Sequence, residues 1–310
     1  MSRAIRTEGL TKDFGSQRGL FDLHLEVDEG EVLGYLGPNG AGKTTTIRLL
    51  MGLIHATEGS ASIFGLDCHR QAVEVKRHVG YIPGELPQFG GLRGSEIVAY
   101  MAGLRGGVDE KRVAQICERL SLDLGQRFRE YSRGNKQKLA IVLGFMHRPR
   151  LLLLDEPTGG LDPLNQQEFY DLCQEARNDG ATLFLSSHIL SEVERISDHV
   201  AILRAGRLVK TMTLHELHEI RFHQVEIELA GEPPTGAVRE AAGVEQVEVD
   251  GHTLRCVVRG SFDPLMKVLA GSEILNLSSH EPNLEEVFLT YYRDSPSAAA
   301  SDPETEGTRV

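Results

Sequence analysis

A glycine-rich segment followed by a lysine and threonines holds the residues with the clearest chemistry. Residues 37–44 read GPNGAGKT and match the G-x-x-x-x-G-K-[ST] pattern, between an apolar strand-like run and a helix start. Glycines let successive backbone N–H groups point at phosphate oxygens, and the following helix adds the positive end of its dipole. The pattern predicts a nucleoside triphosphate site formed by Gly37, Pro38, Asn39, Gly40, Ala41, Gly42, Lys43, Thr44 and Thr45. Lys43 would reach the β- and γ-phosphates, Thr44 would bind Mg²⁺, and Thr45 would contact a further phosphate oxygen.

Two adjacent acids supply candidate metal and base groups. Asp155 and Glu156 end a run of four leucines, residues 151–154. A buried parallel strand delivers such side chains at its carboxyl end, where ligands of α/β sheets bind. We expect Asp155 to hold Mg²⁺, mainly through water, and Glu156 to orient and polarise the attacking water. On its own, the pair could be two solvated acids at a strand end. Because a phosphate loop precedes it in the sequence, the interpretation as metal ligand and base is favoured.

Two further positions are candidates because of where they stand. Ser132 and Gly134 precede a helical pattern at 136–146, and a hydroxyl with glycine N–H groups at a helix start forms an anion site or simply a helix cap. His188 follows the strand-like run 182–185, which favours a catalytic role over a structural one. Asn135-Lys136-Gln137 is followed by Lys138 and not Asp, so the guanine-reading NKxD motif is absent and a GTPase is disfavoured.

Together these motifs resemble the ATP-binding cassette ATPases. In that family an LSGGQ signature precedes the paired acids; here the segment reads YSRGN, which keeps the serine and the second glycine. The resemblance implies that Ser132, Arg133, Gly134 and Asn135 bind the γ-phosphate held by the phosphate loop of a second subunit. Two ATP molecules with Mg²⁺ would thus be sandwiched in a head-to-tail homodimer.

The resemblance assigns roles to three more residues. Asp162, in the segment Gly160-Leu161-Asp162, resembles the D-loop acid that contacts the opposite subunit. His188 resembles the switch histidine that contacts the γ-phosphate. Phe14 resembles the aromatic that stacks on adenine, although an aromatic near a strand end is often a core residue.

One departure concerns coupling to a membrane partner. The family usually carries a glutamine after the strand equivalent to residues 79–82, where it senses Mg²⁺ and the partner. Here Gly84 and Glu85 follow Pro83, and Glu85 or Gln88 is the candidate substitute; a changed coupling step is an equal alternative. The altered signature and this loop resemble single-cassette subunits of drug, antibiotic and polysaccharide exporters. Residues 284–288 are similar to the C-terminal segment of daunorubicin-resistance-type subunits.

The elements that must position these residues fall into two domains. Alternating strand and helix patterns over 1–220 predict an α/β cassette, a P-loop NTPase with a RecA-like core, a mainly parallel sheet and a helical insertion at about 84–145. The order βαββαβ over 221–292 predicts a small α+β domain, of ferredoxin-like type. A closing helix at 284–289 and a disordered tail at 293–310, rich in Ser, Ala, Pro and acids, are also expected.

Composition limits the classes of function. The 310 residues are 40% hydrophobic and 25% charged, as in a globular protein of two domains. The net charge of −12 argues against nucleic acid, but most of it lies after residue 220, so the single-cassette layout is the stronger argument. No apolar run is long enough to span a bilayer, and the N-terminus lacks a secretory signal. The four scattered cysteines are interpreted as free thiols of a cytosolic protein.

The leading hypothesis is the ATP-binding and ATP-hydrolysing subunit of an export transporter. It would drive a separate membrane-spanning permease, whose cytosolic helix would dock near residues 84–89, and it would sit in the cytoplasm at the inner face of the cell membrane. Two alternatives stay open. The chain could be a non-transport cassette ATPase, or a regulatory subunit that binds ATP and hydrolyses it weakly.

Overall fold

The computed structural model describes residues 2–220 and 222–280, and the chain divides into two compact units, 1–214 and 215–310. The division lies slightly before the expected boundary at 220. The expected closing helix at 284–289 and the tail at 293–310 lie outside the described residues.

The first unit contains ten strands and seven complete helices among its described residues. The strands are β1 (Arg3–Asp13), β2 (Gly19–Asp28), β3 (Val32–Leu36), β4 (Glu58–Ile63), β5 (Leu66–Asp67), β6 (Val79–Ile82), β7 (Leu151–Asp155), β8 (Thr182–Ser187), β9 (His199–Arg204) and β10 (Arg207–Thr213). The helices are α1 (Lys43–Leu50), α2 (Ala72–His78), α3 (Gly94–Gly103), α4 (Glu110–Arg119), α5 (Arg133–Phe145), α6 (Pro163–Asn178) and α7 (Leu190–Ile196), and α8 (Leu214–Ile220) follows β10.

A six-stranded sheet in the order β10-β9-β3-β8-β7-β6 carries the site. All neighbours pair in parallel except β10, which runs antiparallel to β9. Every residue of β3, β7 and β8 is buried, as their apolar composition requires of strands covered on both faces. Because β3, β8 and β7 are neighbours, their carboxyl ends bring three sequence-distant segments to one edge. The parallel α/β fold is confirmed.

A second, antiparallel sheet in the order β2-β1-β4-β5 had no counterpart among the sequence predictions. Leu23, Leu25 and Val27 alternate with exposed residues along β2 and enter the main core. The insertion between β6 and β7 holds α3, α4 and α5, so the helical region falls inside the expected range 84–145, and it begins with a loop rather than a helix.

The second unit is a four-stranded sheet with two helices. Its elements are β11 (Phe222–Leu229), α9 (Thr235–Glu240), β12 (Val244–Asp250), β13 (Thr253–Arg259), α10 (Asp263–Leu269) and β14 (Ile274–His280). The strand order β12-β13-β11-β14, with antiparallel neighbours, is that of the ferredoxin-like split βαβ arrangement. Ile227, Leu254 and Leu265 lie at the centre of its own core.

All four cysteines are buried and free of disulfides. No helix in the described ranges is long and apolar enough to cross a membrane.

Candidate active site

The loop between β3 and α1 is a close-packed turn that only glycine permits at its key positions. A Cβ on Gly37 would lie 2.4 Å from the Leu203 carbonyl oxygen, which leaves no room for a side chain. Gly40 and Gly42 have φ angles of +81° and +108°, in the region that disfavours other residues. The turn thus has the backbone that a phosphate-binding loop needs.

Lys43 lies buried inside this loop. Its Nζ donates to the carbonyl oxygens of Gly37 at 2.6 Å and Pro38 at 3.3 Å, and lies 3.2 Å from Oε1 of Glu156. A buried ammonium needs such oxygen partners, and phosphate oxygens are chemically equivalent ones. The structure therefore brings Lys43 and Glu156 together.

The Thr44 hydroxyl and the Asp155 carboxylate form the candidate magnesium site. Thr44 Oγ1 donates to Oδ1 of Asp155 at 3.1 Å, and Ser186 Oγ donates to the same oxygen at 2.8 Å. No cluster of three or more His, Cys, Asp or Glu side chains suited to a metal occurs in the described part of the chain. Hard oxygen donors in this number fit Mg²⁺, which binds proteins through one or two groups and takes its other ligands from phosphates and water.

Glu156 and His188 form a direct pair. His188 Nδ1 lies 2.7 Å from Oε2 of Glu156, and these residues follow the neighbouring strands β7 and β8. Glu156 has φ of +49°, an uncommon backbone conformation for a residue with a side chain, and its N–H donates to the Ser186 carbonyl oxygen at 3.1 Å. The turn holds the carboxylate between the lysine and the histidine, where a general base would stand.

Lys43, Thr44 and Glu156 open onto a cavity of about 290 Å³, whose lining includes neither Asp155 nor His188. Phe14, 59% exposed, lines it together with Arg18 and Gly19. The Phe14 N–H donates to the Arg18 carbonyl oxygen at 2.9 Å, so a tight turn carries both residues to the cavity. The described residues that line the cavity are Phe14, Arg18, Gly19, Asn39, Gly40, Ala41, Gly42, Lys43, Thr44, Thr45 and Glu156.

Sequence reasoning missed Arg18, Gly19 and Ser186. A basic residue four positions after Phe14 was an available signal for Arg18. Ser186 carried no comparable signal, because a serine at the end of an apolar run has no distinctive pattern.

The signature segment lies outside the lining of that cavity. Ser132 Oγ accepts the Asn135 N–H at 3.1 Å and caps α5, and a Cβ on Gly134 would lie 2.8 Å from the Gly160 carbonyl oxygen. The Arg133 side chain lies along Gly160: a Cβ on Gly160 would be 3.2 Å from Cγ of Arg133. The structure therefore packs the signature against the D-loop of the same chain.

Asp162 begins α6. Its Oδ1 accepts the backbone N–H of Asn165 at 3.0 Å, and this hydrogen bond and the one from the Asn165 side-chain amide lower the pKa of the carboxyl. Asp162 is thus a charged helix cap in its own chain.

In the loop that follows β6, the backbone at Gly84 lies near the candidate magnesium site, whereas the side chain of Glu85 does not line the cavity. A Cβ on Gly84 would lie 3.7 Å from Oδ2 of Asp155. Glu85 and Gln88 are exposed, and neither side chain lines the cavity. Their substitution for the coupling glutamine stays a prediction.

Comparisons with known proteins agree with this geometry. The family described as ABC transporter matches residues 20–159. The bacitracin transport ATP-binding protein BcrA of Bacillus licheniformis is 35% identical, covering 93% of this chain and 97% of its own. The Nod factor export ATP-binding protein I of Cupriavidus pinatubonensis is 32% identical, covering 93% and 90%. A solved structure described as an ATP binding subunit of an ABC transporter has a TM-score of 0.65 at 32% identity, covering 69% of this chain and 92% of that chain.

One edge of the parallel sheet carries a phosphate loop, a hydroxyl–carboxylate pair suited to Mg²⁺ and a glutamate–histidine pair. This combination defines a P-loop ATPase cassette. The chain belongs to the ATP-binding subunits of ABC transporters, and it is an ATPase of that family. The predicted family is confirmed.

Proposed function

We propose that this chain is the ATP-hydrolysing subunit of an exporter whose membrane-spanning permease is a separate protein. The convergence of Lys43, Asp155, Glu156 and His188 at the ends of β3, β7 and β8 carries the catalytic part of the proposal. The transport part is supported by relatives, named for bacitracin transport and Nod factor export, that match over more than nine-tenths of this chain. That coverage favours an exporter over a non-transport cassette.

The roles follow from the contacts. Lys43 and the N–H groups of the loop would bind phosphate oxygens, and Thr44 and Asp155 would hold Mg²⁺, which neutralises phosphate charge. Glu156 Oε2 would accept the proton of the attacking water. His188 would orient this carboxylate through the 2.7 Å contact and reach the γ-phosphate.

The signature would act on a second copy of the chain. Residues 132–135 and Asp162 lie outside the cavity lining of their own chain, and Gly134 adjoins Gly160. We therefore propose that they close over the nucleotide of a partner copy, in a head-to-tail homodimer. The complex would work in the cytoplasm, held at the inner face of the membrane by the permease.

Replacing Glu156 by Gln tests the catalytic proposal. E156Q keeps the size of the side chain but removes the proton acceptor, so turnover should fall by roughly 100-fold or more while ATP still binds. An ATP-bound dimer should then accumulate, measured by light scattering after size exclusion. E74Q, at an exposed ion pair with Arg77, is the matched control and should turn over normally. Unchanged hydrolysis in E156Q would remove Glu156 from its role.

Purification from a detergent extract tests the transport proposal. A tagged chain should bring down a membrane-spanning protein, and the ATPase rate of the complex should exceed that of the chain alone. Recovery of ribosomes or DNA instead would support the non-transport alternative. A complex that binds ATP without turnover would support a regulatory subunit.

A further inference from the structure

A buried glutamate lies between the two segments that carry the catalytic pair. Glu192, in α7, is 8% exposed. Its Oε1 accepts the Thr158 hydroxyl at 2.5 Å, and its Oε2 accepts the Ser187 hydroxyl at 2.6 Å. Thr158 and Ser187 are themselves 5% and 0% exposed, so water does not compete for these hydrogen bonds.

The two partners of Glu192 are next to the catalytic residues in sequence. Thr158 stands two positions after Glu156, on the turn that leaves β7, and Ser187 stands one position before His188, at the end of β8. Ser187 Oγ also accepts the Ile189 N–H at 3.0 Å, so the same hydroxyl shapes the loop on the far side of the histidine. One carboxylate thus ties the glutamate turn to the histidine loop.

The chemistry of the carboxylate makes these contacts strong ones. Among residues 2–220 and 222–280, no basic side chain forms an ion pair with Glu192; the hydroxyls of Thr158 and Ser187 compensate its burial. Hydrogen bonds to a buried carboxylate are short and directional, and losing a partner is costly. Stability alone does not explain a buried acid, because an apolar residue of the same size usually stabilises the fold as much.

We propose that Glu192 is a positioning residue for catalysis: it fixes the Glu156 turn and the His188 loop relative to each other, so that the 2.7 Å contact between the two catalytic side chains forms. This rests on the proposed function of Glu156 and His188. It assigns Thr158 and Ser187 a role through Glu192 and not through the nucleotide.

Thr158→Val is the sharpest variant, because it removes one hydroxyl and keeps the shape of the side chain. Thr7→Val is the matched control: Thr7 is 2% exposed and its hydroxyl donates to the Leu23 carbonyl oxygen at 2.9 Å, in the antiparallel sheet. We expect T158V to lower kcat roughly tenfold, as misplaced catalytic groups do, with KM for ATP within about twofold. T7V should lose thermal stability at least as much as T158V and keep kcat.

A double-variant cycle separates positioning from general damage. If Thr158 acts through Glu192, the variant T158V/E192A should be about as slow as E192A alone, because E192A already removes the acceptor of the Thr158 hydroxyl. The proposal would be overturned if the kcat losses of the two single variants multiplied in the double variant. It would also be overturned if T7V lost as much kcat as T158V, or if T158V raised KM without lowering kcat. A wild-type chain with no turnover, alone or with its permease, would overturn the proposed function and this role with it.

Discussion

Single glycines decide whether the phosphate loop can form. Gly37 has no spare volume, since its ideal Cβ would lie 2.4 Å from the Leu203 carbonyl oxygen and 3.1 Å from Ala41 Cβ. Gly103, at the end of α3, has nothing within 4 Å of the same point. The two positions therefore differ in steric cost and not in the chemistry of the substitution.

Gly37→Ala should displace the loop backbone from Leu203. We expect a loss of about 1–3 kcal/mol in the free energy of unfolding, the usual cost of overpacking. Nucleotide binding should weaken roughly tenfold or more, since the phosphate-facing N–H groups move with the loop. Urea unfolding and titration with a fluorescent ATP analogue measure both quantities. Gly103→Ala is the control and should be neutral or stabilise by about 0.5 kcal/mol; equal effects at the two sites would contradict the steric argument.

Residue identity and spacing predicted most of the site. Lys43 was predicted from the phosphate-loop motif, and Asp155 and His188 because each lies at the end of an apolar run. Adjacent parallel strands end at one edge of the sheet, which brings these positions close together. Ser186 was not predicted, because its hydrogen bond to Asp155 depends on which strands are neighbours. The left-handed conformation of Glu156 likewise comes from the turn and has no signal in the residue type.

At the scale of elements, a half-buried histidine, His147, lies between the end of α5 and the start of β6. His147 Nε2 lies 3.2 Å from the Val79 carbonyl oxygen, to which it donates, and Nδ1 is buried with no hydrogen-bond partner in the described part of the chain. Burial, with a smaller contribution from the Arg105 charge, lowers the pKa of His147 to about 4. The ring is therefore neutral in the folded protein at neutral pH.

Stability should fall in acid for this reason. The unfolded chain binds the proton of His147 at a pKa of about 6.5, above the folded value, so stability is full above pH 6.5 and declines as the pH falls towards 4. Gln in this position can still donate to Val79 but does not titrate. Between pH 7 and pH 5, the free energy of unfolding of the wild type should therefore fall by about 2 kcal/mol more than that of H147Q.

Urea unfolding at several pH values measures that difference. Parallel profiles for the wild type and H147Q would contradict the account.

Elements with strong patterns were the predictable ones. The continuous apolar runs of β3, β7 and β8 and the alternation in β11 marked strands without ambiguity. The antiparallel sheet of β1, β2, β4 and β5 was not anticipated, since β4 and β5 are short and polar and β1 pairs through register shifts. Their strand character depends on pairing partners distant in sequence.

At the scale of the whole molecule, charge and core divide between the two units. Residues 215–310 contain 7 basic and 18 acidic residues, whereas residues 1–214 contain 26 and 27. The second unit has a core of its own, in which Leu254 is fully buried. The order βαββαβ could be predicted from the alternation of its strands, whereas the pairing β12-β13-β11-β14 required the structure.

The second unit should fold without the cassette. A segment of residues 215–310 contains the whole of the core around Ile227, Leu254 and Leu265, so we expect one cooperative transition in urea, with a stability of about 3–5 kcal/mol for so small a core. Leu254→Ala should remove about 2–5 kcal/mol and thereby unfold the segment, because a buried leucine leaves a cavity. Leu275, 60% exposed on β14, is the matched leucine, and L275A should stay within about 0.5 kcal/mol of the wild type. Circular dichroism of the three segments distinguishes the outcomes, and a wild-type segment without a cooperative transition would show that this core depends on the cassette.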